Sequence, residues 1–348
     1  MGLRTYIAKR LAYSILLIIL AMTVSFYIFQ IMPGNVVQAF LPEKGLSYPE
    51  YLKEVSIFEA SWGLNQPLYL RYFVYLKNMF TWNFGTSIVT RSPVSKEIMI
   101  RLPWTVLLIG LSTIISILVG LLTGVLAAYR RGTSADTGLL GSALVLGSLP
   151  TFWLGLVFII IFCNTLHWFP PSQIYPSNWG VGSTPFPVAY TVSGGNILVN
   201  ASGALTLIGG ILSHAFLPVL TLSVFLYGGY TLLARATMVD ALTEDYIVTA
   251  RAKGVGETTV LFKHALKNAS LPIITAVALA FGGLFSGATI TETVFSWNGL
   301  GLWIYSSVLQ KDFFAMQAIF FIITLCVIIA NIIADLTYGI IDPRIKYG

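Results

Sequence analysis

Between Asp136 and Arg235 the chain runs for 98 residues without a single Asp, Glu, Lys or Arg. No water-facing surface is built that way, because charged side chains make up about 25% of ordinary globular sequences. Over all 348 residues the charged fraction is 10%, so most of the surface must face lipid and the chain is an integral membrane protein. A spanning helix needs about 20 apolar residues. The uncharged run is therefore too long for one helix, and a Pro-, Ser-, Asn- and Gly-rich middle divides it. We read a third span near residues 137–166, an outer loop over 167–210 and a fourth span near 211–234, with Pro150 and Pro218 placed to kink the two helices.

The remaining spans follow from the same rule. Arg4, Lys9 and Arg10 precede an apolar run over 11–32. That run is longer than the roughly 7–15 residues of a signal-peptide core, and Met32-Pro33-Gly34 is a poor cleavage site, so it is a retained first span. Residues 33–101 mix five acids with seven basic residues and form an extracytoplasmic segment whose aromatic groups can lie along the interface. An uncharged second span over 102–129 stops at Arg130-Arg131, a fifth covers 273–291 and a sixth 313–333. The expected fold is all-α with six transmembrane helices.

Twelve of the twenty basic residues fall in the segments this topology puts inside, so both termini are expected in the cytoplasm. The seven in 33–101 weigh little, since segments longer than about 60 residues largely escape the rule. The formal charge of +6 needs no nucleic acid to explain it. Cys163 and Cys326 lie in separate apolar runs and read as small core residues rather than as a disulfide or metal site.

Several chemistries are excluded. There is no G-x-x-x-x-G-K-[ST] phosphate loop, no H-E-x-x-H and no G-x-S-x-G elbow, so the chain is not an enzyme and cannot hydrolyse ATP by itself. Ion-coupled carriers place acids deep in the bilayer, whereas Glu292 and Asp335 stand at span ends, where a side chain reaches the interface. His214 reads as hydrogen-bonded in place, His264 as interfacial, and Asn200-Ala201-Ser202 as a weak glycosylation pattern. Gly120 with Gly124, and Gly283 with Gly287, are small-xxx-small pairs that either bring helices close or reflect the abundance of Gly in membrane helices.

One polar stretch remains, residues 245–272, inside a cytoplasmic loop over 240–270. Thr243, Glu244 and Asp245 make a helix start, with a capping hydroxyl and acids against the helix dipole. Ile247, Ala250 and Gly254 share a small-residue face that a partner can approach closely, and Gly254 with Gly256 makes a turn. A second helix over 257–268 pairs Leu261 with Ala265 and Phe262 with Leu266, and Pro272 opens the fifth span. Read from the residues alone, the stretch is either a partner's socket or an amphipathic helix pair lying on lipid headgroups.

The run D-Y-I-V-T-A-R-A-K-G followed by H-A-L-K-N-A-S-L-P resembles the cytoplasmic loop of the dipeptide/oligopeptide family of ABC importer permeases, in its first-permease branch. Met32-Pro33-Gly34, Gly63-Leu64-Asn65-Gln66-Pro67, Phe84-Gly85-Thr86-Ser87 and Arg101-Leu102-Pro103 with Thr105 are similar to family landmarks. So are residues 148–153, Glu292-Thr293-Val294-Phe295 with Gly299 and Gly301, and the ending with Asp335, Tyr338 and Asp342-Pro343-Arg344. The outer loop 167–210 is longer than the usual family connection.

The resemblance implies a single permease domain over 1–348 with the type I ABC importer architecture, in a prokaryotic cell membrane. It implies a homologous second permease, two cytoplasmic ATPase subunits that hold the ATP and Mg, and an extracytoplasmic solute-binding protein, with no cofactor or metal in this chain. Asp245, Tyr246, Thr249, Ala250, Arg251, Ala252, Lys253 and Gly254 would then be the ATPase-coupling residues. The solute would be a peptide or an oligosaccharide, with nickel complexes a further possibility in the family, and it would move inward by alternating access. The competing reading from six spans alone is a self-sufficient secondary transporter or channel, opposed by the missing mid-membrane acids.

Overall fold

In a bilayer each backbone N–H must find its acceptor within the chain, so an apolar sequence of this length resolves almost wholly into helices. The computed structural model describes residues 3–31, 65–179, 186–193 and 196–341, together with 49, 52, 53, 55 and 56. Met32-Pro33-Gly34, Gly63-Leu64 and Asp342-Pro343-Arg344 lie outside the described residues, as do the surroundings of Gly283 and Gly287 and the side chains of Asp335 and Tyr338. The helices are α1 (Leu3–Ile31), α2 (Leu68–Phe80), α3 (Val94–Tyr129), α4 (Ser134–Ser148), α5 (Thr151–Phe158), α6 (Ala201–Leu242), α7 (Asp245–Ala252), α8 (Leu266–Val294), α9 (Leu300–Leu309) and α10 (Phe313–Ile341). A short antiparallel hairpin, β1 (Tyr190–Ser193) with β2 (Asn196–Val199), sits within the loop 167–210 and pairs Tyr190 with Val199.

Four helical stretches among the described residues are long and apolar enough to cross a membrane: Lys9–Phe29, Val94–Tyr129, Ala201–Leu242 and Phe313–Ile333. The expected fifth span falls within α8. The third departs from expectation. Ser134–Ser148 and Thr151–Thr165 meet at an angle of 100° instead of forming one gently kinked helix. Pro150 has no N–H to give the helix, and it drives Leu149 into the extended region at φ −74°, ψ 137°. The C-terminal part of this pair, Ile159–Thr165, is wound as a wider π-helix. Pro218 breaks nothing, for α6 continues through it over 42 residues.

The chain divides into two compact units. In the first, residues 1–103 and 303–339 with 343–348, aromatic packing dominates. Phe26 of α1 meets Tyr72 and Tyr75 of α2 at 5.3 and 5.4 Å between ring centres. Phe84 is buried against Phe321. Asp312 is fully buried and accepts from the Ser87 hydroxyl at 2.5 Å and from the Ala315 N–H at 3.2 Å, so one carboxylate caps α10 and anchors the segment ahead of α3. Arg101 pairs with Glu97 and lies over the Trp303 ring, 4.8 Å from its centre. The landmark Phe84-Gly85-Thr86-Ser87 thus has a structural explanation in its buried ring, in Gly85 at φ +83° and in the Ser87 bond.

The second unit, residues 104–302 with 340–342, is built on α6. Gly120 and Gly124 of α3 lie directly against it: a Cβ on Gly120 would stand 2.5 Å from the Tyr230 Cβ, and one on Gly124 2.6 Å from the Ala234 Cβ. This pair of glycines marks a true close helix crossing. Its seam is polar, with Thr123 bonded to Thr231 at 2.8 Å and Ser116 to the Ser223 carbonyl at 3.3 Å. Asn200 caps α6 by accepting from the Gly203 N–H at 3.1 Å, and His214 bonds to the Gly210 carbonyl at 2.8 Å. In the loop 167–210, Trp179 packs on Gly210 and joins Tyr175 and Phe186 in an aromatic cluster.

Candidate functional site

The polar stretch forms where α6 ends. Thr243 keeps helical angles and donates to the Asp240 carbonyl at 2.8 Å, so it closes α6 rather than capping the next helix as expected. The chain turns at Glu244, whose extended backbone at φ −76°, ψ 148° starts α7 and accepts the Ile247 N–H. Asp245 lies in the first turn of α7, where its charge suits the helix dipole.

A buried cluster lies beneath α7. Val125 and Ala128 of α3, Met238 and Ala241 of α6, Ile247 and Ala250 of α7, and Val260, Leu261, Ala265 and Ala269 of the following run all join it. Ala250 and Ile247 therefore point into the chain's own interior, not outward as a face offered to a partner. The outward surface carries Asp245, Val248, Thr249, Arg251, Ala252, Lys253 and Gly254, with Val248 61% exposed. Tyr246 is half-buried against the cluster, and its hydroxyl finds no hydrogen-bond partner among the described residues.

Gly254 ends the helix for a reason other than size. It takes φ +74°, its N–H bonds to the Arg251 carbonyl at 2.9 Å and the Val255 N–H bonds to the Ala250 carbonyl at 3.2 Å. These are the two bonds of a Schellman stop, which demands a left-handed residue at this position. A Cβ on Gly254 would meet open space, so the backbone angle, not crowding within the chain, accounts for the glycine.

Arg251 is engaged inside the chain, its guanidinium donating to Glu257 at 2.6 and 3.3 Å. That carboxylate raises the Arg251 pKa above its usual value, and the pair clasps α7 to the next run. The expected second helix over 257–268 does not end there. A single turn at Glu257–Thr259 and π-helical Val260–Ala265 lead directly into α8. Pro272 consequently sits within a continuing helix rather than at its first turn, and leaves the Asn268 carbonyl without its helical donor. Leu261 and Ala265 are buried as a pair, whereas Phe262 is 45% exposed.

Two features escaped sequence reasoning. Asp136 and Arg235, the charges that bound the uncharged run, are bonded to each other: Arg235 Nε to Asp136 Oδ1 at 2.7 Å and Nη2 to Oδ2 at 2.8 Å, with the Gly132 N–H adding a third bond at 3.0 Å. The pair ties the first turn of α4 to α6, and the Gly132 bond adds the turn before it. The signal was their position as the two ends of one uncharged run.

The second is Glu292, expected to reach the interface. It is fully buried, and accepts from the Thr105 hydroxyl at 2.7 Å and from the Leu302 N–H at 3.0 Å in the first turn of α9. Gly299 and Gly301 make room for it, since a Cβ on either would lie 2.5 or 2.9 Å from the carboxylate. The E-T-V-F with G-L-G spacing is thus a carboxylate and its cradle.

Among the described residues no group of three or more His, Cys, Asp or Glu is placed to hold a metal ion. Cys163 and Cys326 are unpaired and half-buried.

The chain is similar in sequence to known transport proteins. Residues 120–347 match the family described as binding-protein-dependent transport system inner membrane component. The oligopeptide transport system permease protein AppB of Bacillus subtilis is 35% identical over 98% of this chain and 99% of its own length. The dipeptide transport system permease proteins DppB of Alkalihalophilus pseudofirmus and of Escherichia coli K12 are 33% and 32% identical, each over 98% of this chain, with 99% and 98% of their own lengths covered.

Proposed function

We propose how this chain is coupled to its energy source, proceeding from the fact that it belongs to the family of binding-protein-dependent transport system inner membrane components. It is a permease subunit of an ATP-driven importer, a multi-pass inner-membrane component that is not itself an enzyme. Its similarity to oligopeptide and dipeptide permeases supports a peptide as the solute.

In this reading two separate ATPase subunits hold ATP and Mg, a homologous permease lines the pathway with this chain, and an extracytoplasmic binding protein delivers the solute. The excess of basic residues in 130–131 and 251–267 supports a cytoplasmic position for α7 and for both termini. The observation that carries the coupling role is the split of α7 into a face held by the buried cluster and a face open to solvent. Val248, Thr249 and Ala252 meet the ATPase on the open face, with Asp245 and Lys253 at its rim. Ala250, Tyr246 and Gly254 shape the helix, and the Arg251–Glu257 clasp passes its displacement to α8.

Val248→Asp tests this reading, because the position is 61% exposed and its substitution leaves the cluster beneath intact. The variant is expected in the membrane at normal level, with ATPase co-purification and solute uptake both reduced at least tenfold. Undiminished co-purification and uptake would refute docking through this face.

A further inference from the structure

The run that joins α7 to α8 has two faces. Val260, Leu261, Ala265 and Ala269 are buried in the cluster under α7. Phe262, Lys263 and Lys267 are exposed on the other side, with Leu266 half-buried between them. Lys267 is the last charge before 24 residues, 268–291, that contain none. At 1.5 Å per helical residue, Lys267 stands about 9 Å and Lys263 about 15 Å ahead of Ile273, a depth that matches the headgroup layer flanking a span.

The charge on this face is uncompensated. No carboxylate pairs with Lys263 or Lys267 among the described residues, and the nearest acid in the run, Glu257, is held by Arg251 at 2.6 Å. Arg130 and Arg131, both exposed, follow Ala128, which shares the buried cluster with Ala265 and Ala269. Two ammonium groups one helical turn apart beside an exposed phenyl ring suit a boundary where phosphates give way to acyl chains. A water-filled groove on a soluble subunit would leave that ring without apolar cover.

We propose that Phe262, Lys263 and Lys267 form a docking surface for anionic phospholipids, with the two ammonium groups on headgroup phosphates and the ring among the first methylenes. This surface is separate from the open face of α7 and does not depend on which partner α7 meets. A bound lipid would brace the point at which α7 hands its motion to α8.

The test uses the purified full chain in mixed micelles, titrated with phosphatidylglycerol or phosphatidylcholine, with bound lipid counted by native mass spectrometry. The unaltered chain should prefer phosphatidylglycerol. Lys263→Gln and Lys267→Gln should each weaken that preference about fivefold, as expected when one basic residue is lost at an anionic surface. The double variant should abolish it, Lys263→Arg with Lys267→Arg should keep it, and Lys253→Gln on α7 should leave it unchanged. Equal preference in the double glutamine variant and the unaltered chain would overturn the proposal. So would intact preference combined with lost ATPase co-purification, which would assign the surface to a protein.

Discussion

Loss of either charge of the Asp136–Arg235 pair should unfasten the start of α4 from α6. The Asp136 side chain is 5% exposed and that of Arg235 26%. Removing one partner of a buried pair costs about 3–5 kcal/mol, because the survivor stays buried without its counter-charge. Here water reaches part of the guanidinium, so Asp136→Asn, which strands the more exposed partner, should cost about 2 kcal/mol. Arg235→Gln strands the more deeply buried carboxylate with only the Gly132 N–H at 3.0 Å, and should cost about 3 kcal/mol.

The double variant, Asp136→Asn with Arg235→Gln, replaces the ion pair by two amides able to bond to each other. It should lose about 2 kcal/mol less than the sum of the single variants, a factor of about 30 in the unfolding equilibrium. Reversible unfolding of the purified chain in mixed micelles with increasing dodecyl sulfate, followed by the fluorescence of its 8 tryptophans, measures the cycle. If the single costs add to the double cost within about 0.5 kcal/mol, the pair contributes no coupling and the reasoning fails.

Other perturbations separate shape from contact. Gly254→Asn, which tolerates a left-handed backbone, should leave thermal stability and ATPase co-purification nearly unchanged, whereas Gly254→Val should lower stability by at least about 1 kcal/mol through backbone strain at φ +74°; equal effects would mean that size, not backbone angle, is selected there. Gly120→Leu should prevent α3 from reaching α6 and reduce the folded chain recovered from membranes severalfold, with Gly120→Ala intermediate; recovery equal to the unaltered chain would show that the close crossing at Gly120 is not required. Glu292→Gln keeps one acceptor in the cradle and should cost about 1–2 kcal/mol, whereas Glu292→Ala leaves the Thr105 O–H and the Leu302 N–H without an acceptor and should cost about 3 kcal/mol or more. Similar melting temperatures for these two variants would argue against the cradle.

Much of the topology was legible because hydropathy and charge act locally. The stop at Arg130-Arg131, the loop after residue 166 and the polar stretch at 245–272 were all visible as changes in composition along the chain. The polar stretch was recognisable, yet the side carrying Ile247 and Ala250 was read as open when the chain covers it. Ile247 and Ala250 stand at helical spacing, and spacing alone does not say which side of a helix the rest of the chain covers. That side was decided by Val125, Met238 and Ala265, which come from three other segments. The break at Pro150 was anticipated as a kink, because proline announces a lost bond but not the angle that neighbouring helices then impose.

The 98 uncharged residues by themselves determined that this chain lies in lipid and that it folds into helices. Both conclusions need only a count of charges and a length. Only the tertiary structure decided that Asp136 and Arg235, the two ends of that run, close on each other, and that Glu292 is buried rather than interfacial. The physical reason is the same in both cases. A charge is stable in a low-dielectric interior only where partners from distant segments converge on it, and that convergence is a property of the packed helices and not of any stretch of sequence.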